Sequence, residues 1–330
     1  MTTGNEKDLE KTRTAGRYFE RLIQSRESSL FLVVLAVGLL FSLSAQNFFS
    51  AENILNICKQ VTLVTMVAAG QTFIITSGGI DLSVGSSLGL SSVIMSWLIY
   101  HGCSLFIAIP AGILIGVTFG FFNGLFITRL RLPPFIVTLG MTSVGRGLLL
   151  IITRGYSITI DSPLILALGN GRVLGIPIMA MFMPVIVIIA ALLLNHTIFG
   201  THVKSTGGNE LATRLCGINA DRVKIKIYTL AGLFCGIAGV IMTGRLNGGN
   251  PNAGLNFDMD TIAAVVIGGT SMQGGSGTII GTMLGAVLMG MIRNGLVLLN
   301  VNMYWTTVTT GAIIIIVCAI DSFTSAKKAQ

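Results

Sequence analysis

Charge is scarce in this 330-residue chain, with Asp, Glu, Lys and Arg together making up only 10% of it. Mean hydropathy is +0.82. A water-soluble domain carries roughly 25% charged residues, so that class is excluded. Histidine is equally sparse. His101, His196 and His202 fall in loops or at the ends of apolar runs, and no His-Glu-x-x-His sequence is present. The five cysteines, Cys58, Cys103, Cys216, Cys235 and Cys318, show neither disulfide-framework nor zinc-site spacing. No Walker A sequence occurs, so the chain does not hydrolyse ATP itself. Gly85-Ser86-Ser87-Leu88-Gly89 matches the serine nucleophile elbow, but a serine needs a base within hydrogen-bond reach, and the histidines are badly placed to supply one. Gly275-Ser276-Gly277 lacks the later glycine of a dinucleotide loop.

What the chain has is long apolar runs, several near the ~18–20 residues that span a bilayer. None alternates with the period of a membrane barrel strand. The fold class is therefore an all-α polytopic membrane protein of about ten transmembrane helices with broken-helix segments. The expected spans are 30–43 (an uncleaved anchor), 57–76, 87–100, 105–128, 135–153, 176–194, 227–244, 261–268, 278–299 and 304–320. The third and eighth are short. This divides the chain into a polar segment 1–29, a single transmembrane domain 30–322 and a tail 323–330. In the first segment Tyr18, Phe19, Leu22 and Ile23 form an amphipathic turn or two at the membrane surface. The net charge of +8 needs no nucleic acid. With both termini in the cytoplasm, Arg129, Arg131, the basic loop 195–226 and Lys327/Lys328 all fall inside, as the positive-inside rule requires.

The loop 195–226 contains a short helix. Gly207-Gly208 interrupts the chain. Asn209 is an N-cap, with an oxygen for the unpaired first-turn amides. Glu210 and Arg214 complement the helix dipole and lie four apart, acid first. Gly217 suits the left-handed C-terminal position. Leu211 and Leu215 make a small apolar face. About two turns are not stable alone, so the helix docks either on its own domain or on a partner.

Two glycine-rich breaks, Gly78–Ser86 and Gly268–Gly277, each sit inside a down-and-up pair of spans. They read either as plain turns or as discontinuous helices lining a transport path, and their likeness hints at an internal repeat. Asp81 and Arg146 are ionisable groups in or near hydrocarbon, where charge is costly and often functional. A helix cap and a structural ion pair are their ordinary roles. Asp258 and Asp260 stand at the outer end of the eighth span, as caps or as a charged rim for a docking partner. Gly112, Gly116, Gly120 and Gly124 share a helix face, as do Gly277, Gly281 and Gly285, with Gly232 and Gly236 a shorter pair. Such stripes permit close helix packing, within the chain or at a dimer seam.

Four ordered motifs resemble the permease subunits of bacterial ABC importers of the ribose/galactose/arabinose type, over about residues 30–322. They are Thr76-Ser77-Gly78-Gly79-Ile80-Asp81-Leu82-Ser83-Val84-Gly85-Ser86; Pro134-Phe135-Ile136-Val137-Thr138-Leu139-Gly140 with Arg146-Gly147; Gly207-Gly208-Asn209-Glu210 through Gly217-Ile218-Asn219; and Ile262-Ala263-Ala264-Val265-Val266-Ile267-Gly268-Gly269-Thr270-Ser271. The resemblance implies a non-catalytic pore without a cofactor in the bacterial inner membrane, paired with a second copy or a related permease. An ABC ATPase subunit and an extracytoplasmic sugar-binding protein are the other implied partners. Gly208, Asn209, Glu210, Leu211, Ala212, Arg214, Leu215 and Gly217 then form the coupling helix. Asp81, Ser83, Thr138, Arg146, Thr270 and Ser271 are expected along the pathway, and Asp258 and Asp260 at the binding protein. Phe257-Asp258-Met259-Asp260 departs from the family's Tyr-Glu-Leu-Asp, and Arg293 stands where an uncharged residue is common. An ion-coupled secondary transporter using Asp81 and Arg146 is the competing reading.

Overall fold

The structure, a computed structural model, describes residues 26–328. The expected amphipathic turn at 18–23 lies outside the described residues. Thirteen helices account for most of the described chain: α1 (Arg26–Ser44), α2 (Ala51–Thr76), α3 (Val84–Tyr100), α4 (Leu105–Arg129), α5 (Pro134–Thr153), α6 (Pro163–Asn170), α7 (Ile178–Asn195), α8 (Ile198–Gly208), α9 (Glu210–Leu215), α10 (Ala220–Leu246), α11 (Phe257–Ile267), α12 (Ile279–Leu298) and α13 (Met303–Lys328). Seven of these, α1, α2, α4, α5, α7, α10 and α12, are long and apolar enough to cross a membrane. Helix α3 and the Tyr304–Ile316 part of α13 are apolar but shorter. The expected eighth span is only the 11-residue α11, about 16 Å of helix, which is half a crossing. The count of ten is therefore loose.

Helix α10 is the centre of the bundle. It packs along α4 and also on α2, α3 and α6. The α4 glycine stripe makes this possible. A Cβ on Gly116 would run into the backbone of Gly232 and Gly236, and one on Gly120 into Tyr228. Both glycine sets meet inside one subunit, so this seam is not a dimer contact. Removing side chains lets backbones approach and gain dispersion contacts, the main packing force where lipid is as apolar as leucine. The third stripe works likewise, with Gly281 set against Gly268 and Gly285 against Ala264 on α11.

The two polar links on the side away from the central loop carry structure of their own. The link 155–175 contains α6, whose Gly169 lies on the backbone of Gly244 and Arg245. Two short ribbons flank it: β1 (Ile158–Thr159) pairs with β4 (Gly248–Gly249), and β2 (Arg172–Val173) pairs with β3 (Ile176–Pro177). After β4 the chain turns back into the bundle along α3. Gly249 abuts Val93 and Ser96, Ala253 reaches Gly89, and Gly254 and Phe257 reach Gly85. This re-entrant stretch leads into α11.

These contacts set the first expectation. Gly120→Leu should destabilise the purified protein by roughly 1–3 kcal/mol, the usual cost of overpacking, and lower its thermal unfolding midpoint in detergent. Gly140→Ala, where an added Cβ meets nothing within 4 Å, should leave the midpoint unchanged. Equal midpoints for both variants would refute the seam.

Candidate functional site

The two breaks and the central loop converge. Residues 77–83 leave α2 and rise to the start of α3 without helical structure. Backbone at this depth needs partners from the protein, and buried side chains provide them. Gln71 Nε2 donates to the Asp81 carbonyl (3.2 Å), Tyr228 OH to the Ile80 carbonyl (3.1 Å) and Thr142 Oγ1 to the Leu82 carbonyl (2.9 Å). The Asp81 carboxylate closes the turn. Its Oδ1 accepts from Ser83 N and Ser83 Oγ, both at 2.7 Å, and its Oδ2 from Asn123 Nδ2 at 3.3 Å. Asn123 also donates to Ser83 Oγ at 2.7 Å. Asn123 lies six residues, about 9 Å, from the end of α4. Asp81 is thus the cap of a break that is held by side chains reaching it from within the bundle.

The second break, residues 268–278, reaches the first directly: Gly275 N donates to the Thr76 carbonyl at 2.8 Å. Gly207, near the end of α8, is wedged against both, since a Cβ there would strike the Thr76 carbonyl and Gly275 N. Helix α8 continues through Gly208, so the glycine pair is not a chain break. Its lack of side chains lets α8 reach the joint. Asn209 then serves two helices, as C-cap of α8 and N-cap of α9.

Helix α9 has the expected capping. Asn209 Oδ1 accepts from Ala212 N at 2.9 Å, and Gly217 has φ +82°. Arg214 Nη2 pairs with Glu210 at 2.8 Å and with Asp221 at 2.5 Å, while Lys224 Nζ reaches Glu210 at 2.6 Å. Thr213 is buried against the domain, but Leu211 and Leu215 are 69% and 81% exposed. Partial burial alone would raise the Glu210 pKa, but Lys224 and Arg214 outweigh it and hold it below its usual value; the Arg214 hydrogen bond holds Asp221 down too. Depressed carboxylate pKa values mean that the network contributes fully above the ordinary carboxylate range, near pH ~4, and fades only as pH falls through the lower folded values. Neutral-pH changes leave α9 braced.

The remaining expected site residues scatter. Thr138 is buried, with Oγ1 donating to the Pro134 carbonyl at 2.9 Å. Arg146 holds the re-entrant stretch through the Ala253 carbonyl at 2.9 Å. Thr270 is buried at the joint, and its Oγ1 has no hydrogen-bond partner among the described residues. Ser271 closes the second break, its N–H donating to the Ser276 carbonyl. Ser87 is buried and its Oγ has no partner among the described residues. Asp258 and Asp260 do not form an outer rim, because the chain descends along α3 before α11 begins. Asp260 is 4% exposed and holds Arg293 with two bonds of 2.6 and 2.7 Å, which gives Arg293 its partner. Asp258 is half-buried, and its carbonyl accepts from Thr261 Oγ1 at 3.0 Å. Gln71, Asn123, Tyr228 and Lys224 were not singled out from the sequence. A lone asparagine in the apolar α4 run was the available signal.

The Asp81 cap carries a stability expectation. Asp81→Ala leaves the two Ser83 donors without their acceptor, at about 1–3 kcal/mol for each buried group, while Asn123 keeps its bond to Ser83 Oγ. Asp81→Asn keeps a carbonyl oxygen for Ser83 and should lose less. Unfolding midpoints in detergent that match wild type for Asp81→Ala would contradict the capping role.

Comparison with known proteins fits this architecture. The family described as branched-chain amino acid transport system / permease component matches residues 53–318. The ribose import permease protein RbsC of Haemophilus influenzae is 34% identical, over 96% of this chain and 99% of its own length. RbsC of Bacillus subtilis is 41% identical over 90% of this chain and 92% of its own. The L-arabinose ABC transporter permease protein AraH of Azospirillum brasilense is 33% identical over 94% and 91%. No solved structure gives a significant match. The capped helix, the joined breaks and these relatives together place the chain in the permease family of ABC importers, as a multi-pass membrane subunit.

Proposed function

We propose that the chain is the pore of an ATP-driven importer for a monosaccharide or a similar small polar solute, in the bacterial inner membrane with both termini in the cytoplasm. It pairs with a second copy or a related permease. ATP is hydrolysed on a separate ABC ATPase subunit, and an extracytoplasmic sugar-binding protein delivers the solute. The support for the solute class is the names of the relatives, for ribose and L-arabinose. The charge bias of the short loops supports the orientation.

One observation carries the mechanism: the helix with two exposed leucines is rooted, through Gly207, on both membrane breaks. The ATPase receives Leu211 and Leu215 in a groove. Gly208, Asn209, Glu210, Ala212, Arg214 and Gly217 fix their presentation. Closure of two ATPases around ATP moves the two α9 helices, and each moves a joint where Thr76 and Gly275 meet. Different contacts with the two ATPase states bias the pore between inward and outward forms. The pathway runs past the breaks, with Asp81, Ser83, Thr138, Arg146, Thr270 and Ser271 shaping its walls. The binding protein docks on the face bearing the two ribbons, where Leu174 is 97% exposed.

The test is co-purification of the tagged chain with its ATPase from detergent. Leu211→Asp with Leu215→Asp should cut retention by roughly 30-fold, the weight of interface hot spots, while membrane insertion and the unfolding midpoint stay at wild-type values. Undiminished retention would remove α9 as the docking element.

A further inference from the structure

Beside α9 lies a cleft of about 470 Å³ whose lining shares only Gly217 with the residues given to coupling. Helix α8 supplies Ile198, Phe199 and His202, and the start of α10 supplies Arg222 and Lys226. Arg222 and Lys226 are four residues apart on one helix face, a like-charge pair that costs stability by itself. Among the described residues neither makes an ion pair. Among the described residues no acid lines the cleft. The nearest acids are engaged elsewhere, Asp221 by Arg214 and Glu210 by Arg214 and Lys224. The N-terminus of the 27-residue α10 opens into the same space at Asn219 and adds partial positive charge.

The floor is apolar. Ile198 is 75% exposed, and the half-buried Phe199 and Ile218 pack on the cluster that also takes Phe182 and Leu230. Lys226 is the last charge before α10 enters its apolar run at Ile227. The cleft thus lies where the bundle leaves the apolar layer. Two uncompensated cations over an apolar floor at that level suit one ligand chemistry. We propose that this cleft binds a phosphate-ester anion, with the anionic phosphate oxygens at Arg222 and Lys226 and the apolar remainder on Ile198 and Phe199. An anionic phospholipid headgroup and a soluble phosphate ester share that chemistry.

The test uses the full chain in detergent micelles doped equally with phosphatidylglycerol and phosphatidylcholine, with retained lipid read by native mass spectrometry. Wild type should retain phosphatidylglycerol selectively. Arg222→Gln with Lys226→Gln should lower that retention roughly 25-fold, since each basic residue near a membrane surface contributes about fivefold. Lys204→Gln, which lies on α8 outside the cleft lining, is the control and should change nothing. A second arm measures thermal stabilisation by inorganic phosphate without lipid. Stabilisation by phosphate in wild type but not in the double variant, without lipid selectivity, assigns the same site to a soluble ester. Equal lipid retention by wild type and double variant with no phosphate response overturns the proposal, as does an equal loss in Lys204→Gln. The ATPase is absent from both arms, so the result is independent of the coupling role of α9.

Discussion

Backbone that leaves a helix inside lipid must find its hydrogen bonds within the protein. This chain leaves its helices at two adjoining segments beside the central loop, and the rest of its architecture follows from how they are held. The Asp81 carboxylate, Asn123, Gln71, Thr142 and Tyr228 supply the first break. The donors come from α2, α4, α5 and α10, so four helices are held to one short segment. The second break is anchored beside the first by the bond from Gly275 N to the Thr76 carbonyl at the end of α2. Neither segment is satisfied in isolation, and neither moves without redistributing these bonds.

That economy explains the glycines. The Asn123 and Tyr228 side chains reach the first break only because α4 and α10 touch backbone to backbone along Gly116, Gly120 and Gly232. Gly207 brings α8 onto the same joint. The seam, the joint and the exposed α9 therefore form one continuous path of rigid contacts, from a surface that projects two leucines to the segments that interrupt the membrane helices. A bundle of uninterrupted, leucine-packed helices would be more regular, but it would have no such path.

The helices were readable in the sequence because their apolar runs and end signals agree. Asn209, Glu210, Arg214 and Gly217 each specify the same short helix by an independent local rule, and the structure has it. The break at Gly78–Ser86 was readable for the same reason, as Gly, Asp and Ser cluster within an apolar context. Non-local pairings were not readable. Nothing within the stretch 245–260 says that it descends along α3, because the cause is the absence of side chains at Gly85 and Gly89, far away in sequence. Counting Asp260 as a rim residue followed from that omission. Its partner Arg293 is 33 residues further on. The glycine pair at 207–208 was read as local punctuation when its role is close approach to Thr76 and Gly275.

The central claim is that α9 drives both breaks through Gly207. Its most direct test is solute uptake per ATP hydrolysed in proteoliposomes holding the permease, its ATPase and the loaded binding protein, with Gly207→Ala against wild type. The added methyl group meets the Thr76 carbonyl and Gly275 N without touching the exposed leucines. The account predicts that the ATPase stays bound and hydrolyses ATP while uptake per ATP falls by about tenfold, within the range for residues that carry coupling. Unchanged uptake per ATP in a correctly folded Gly207→Ala protein would contradict it.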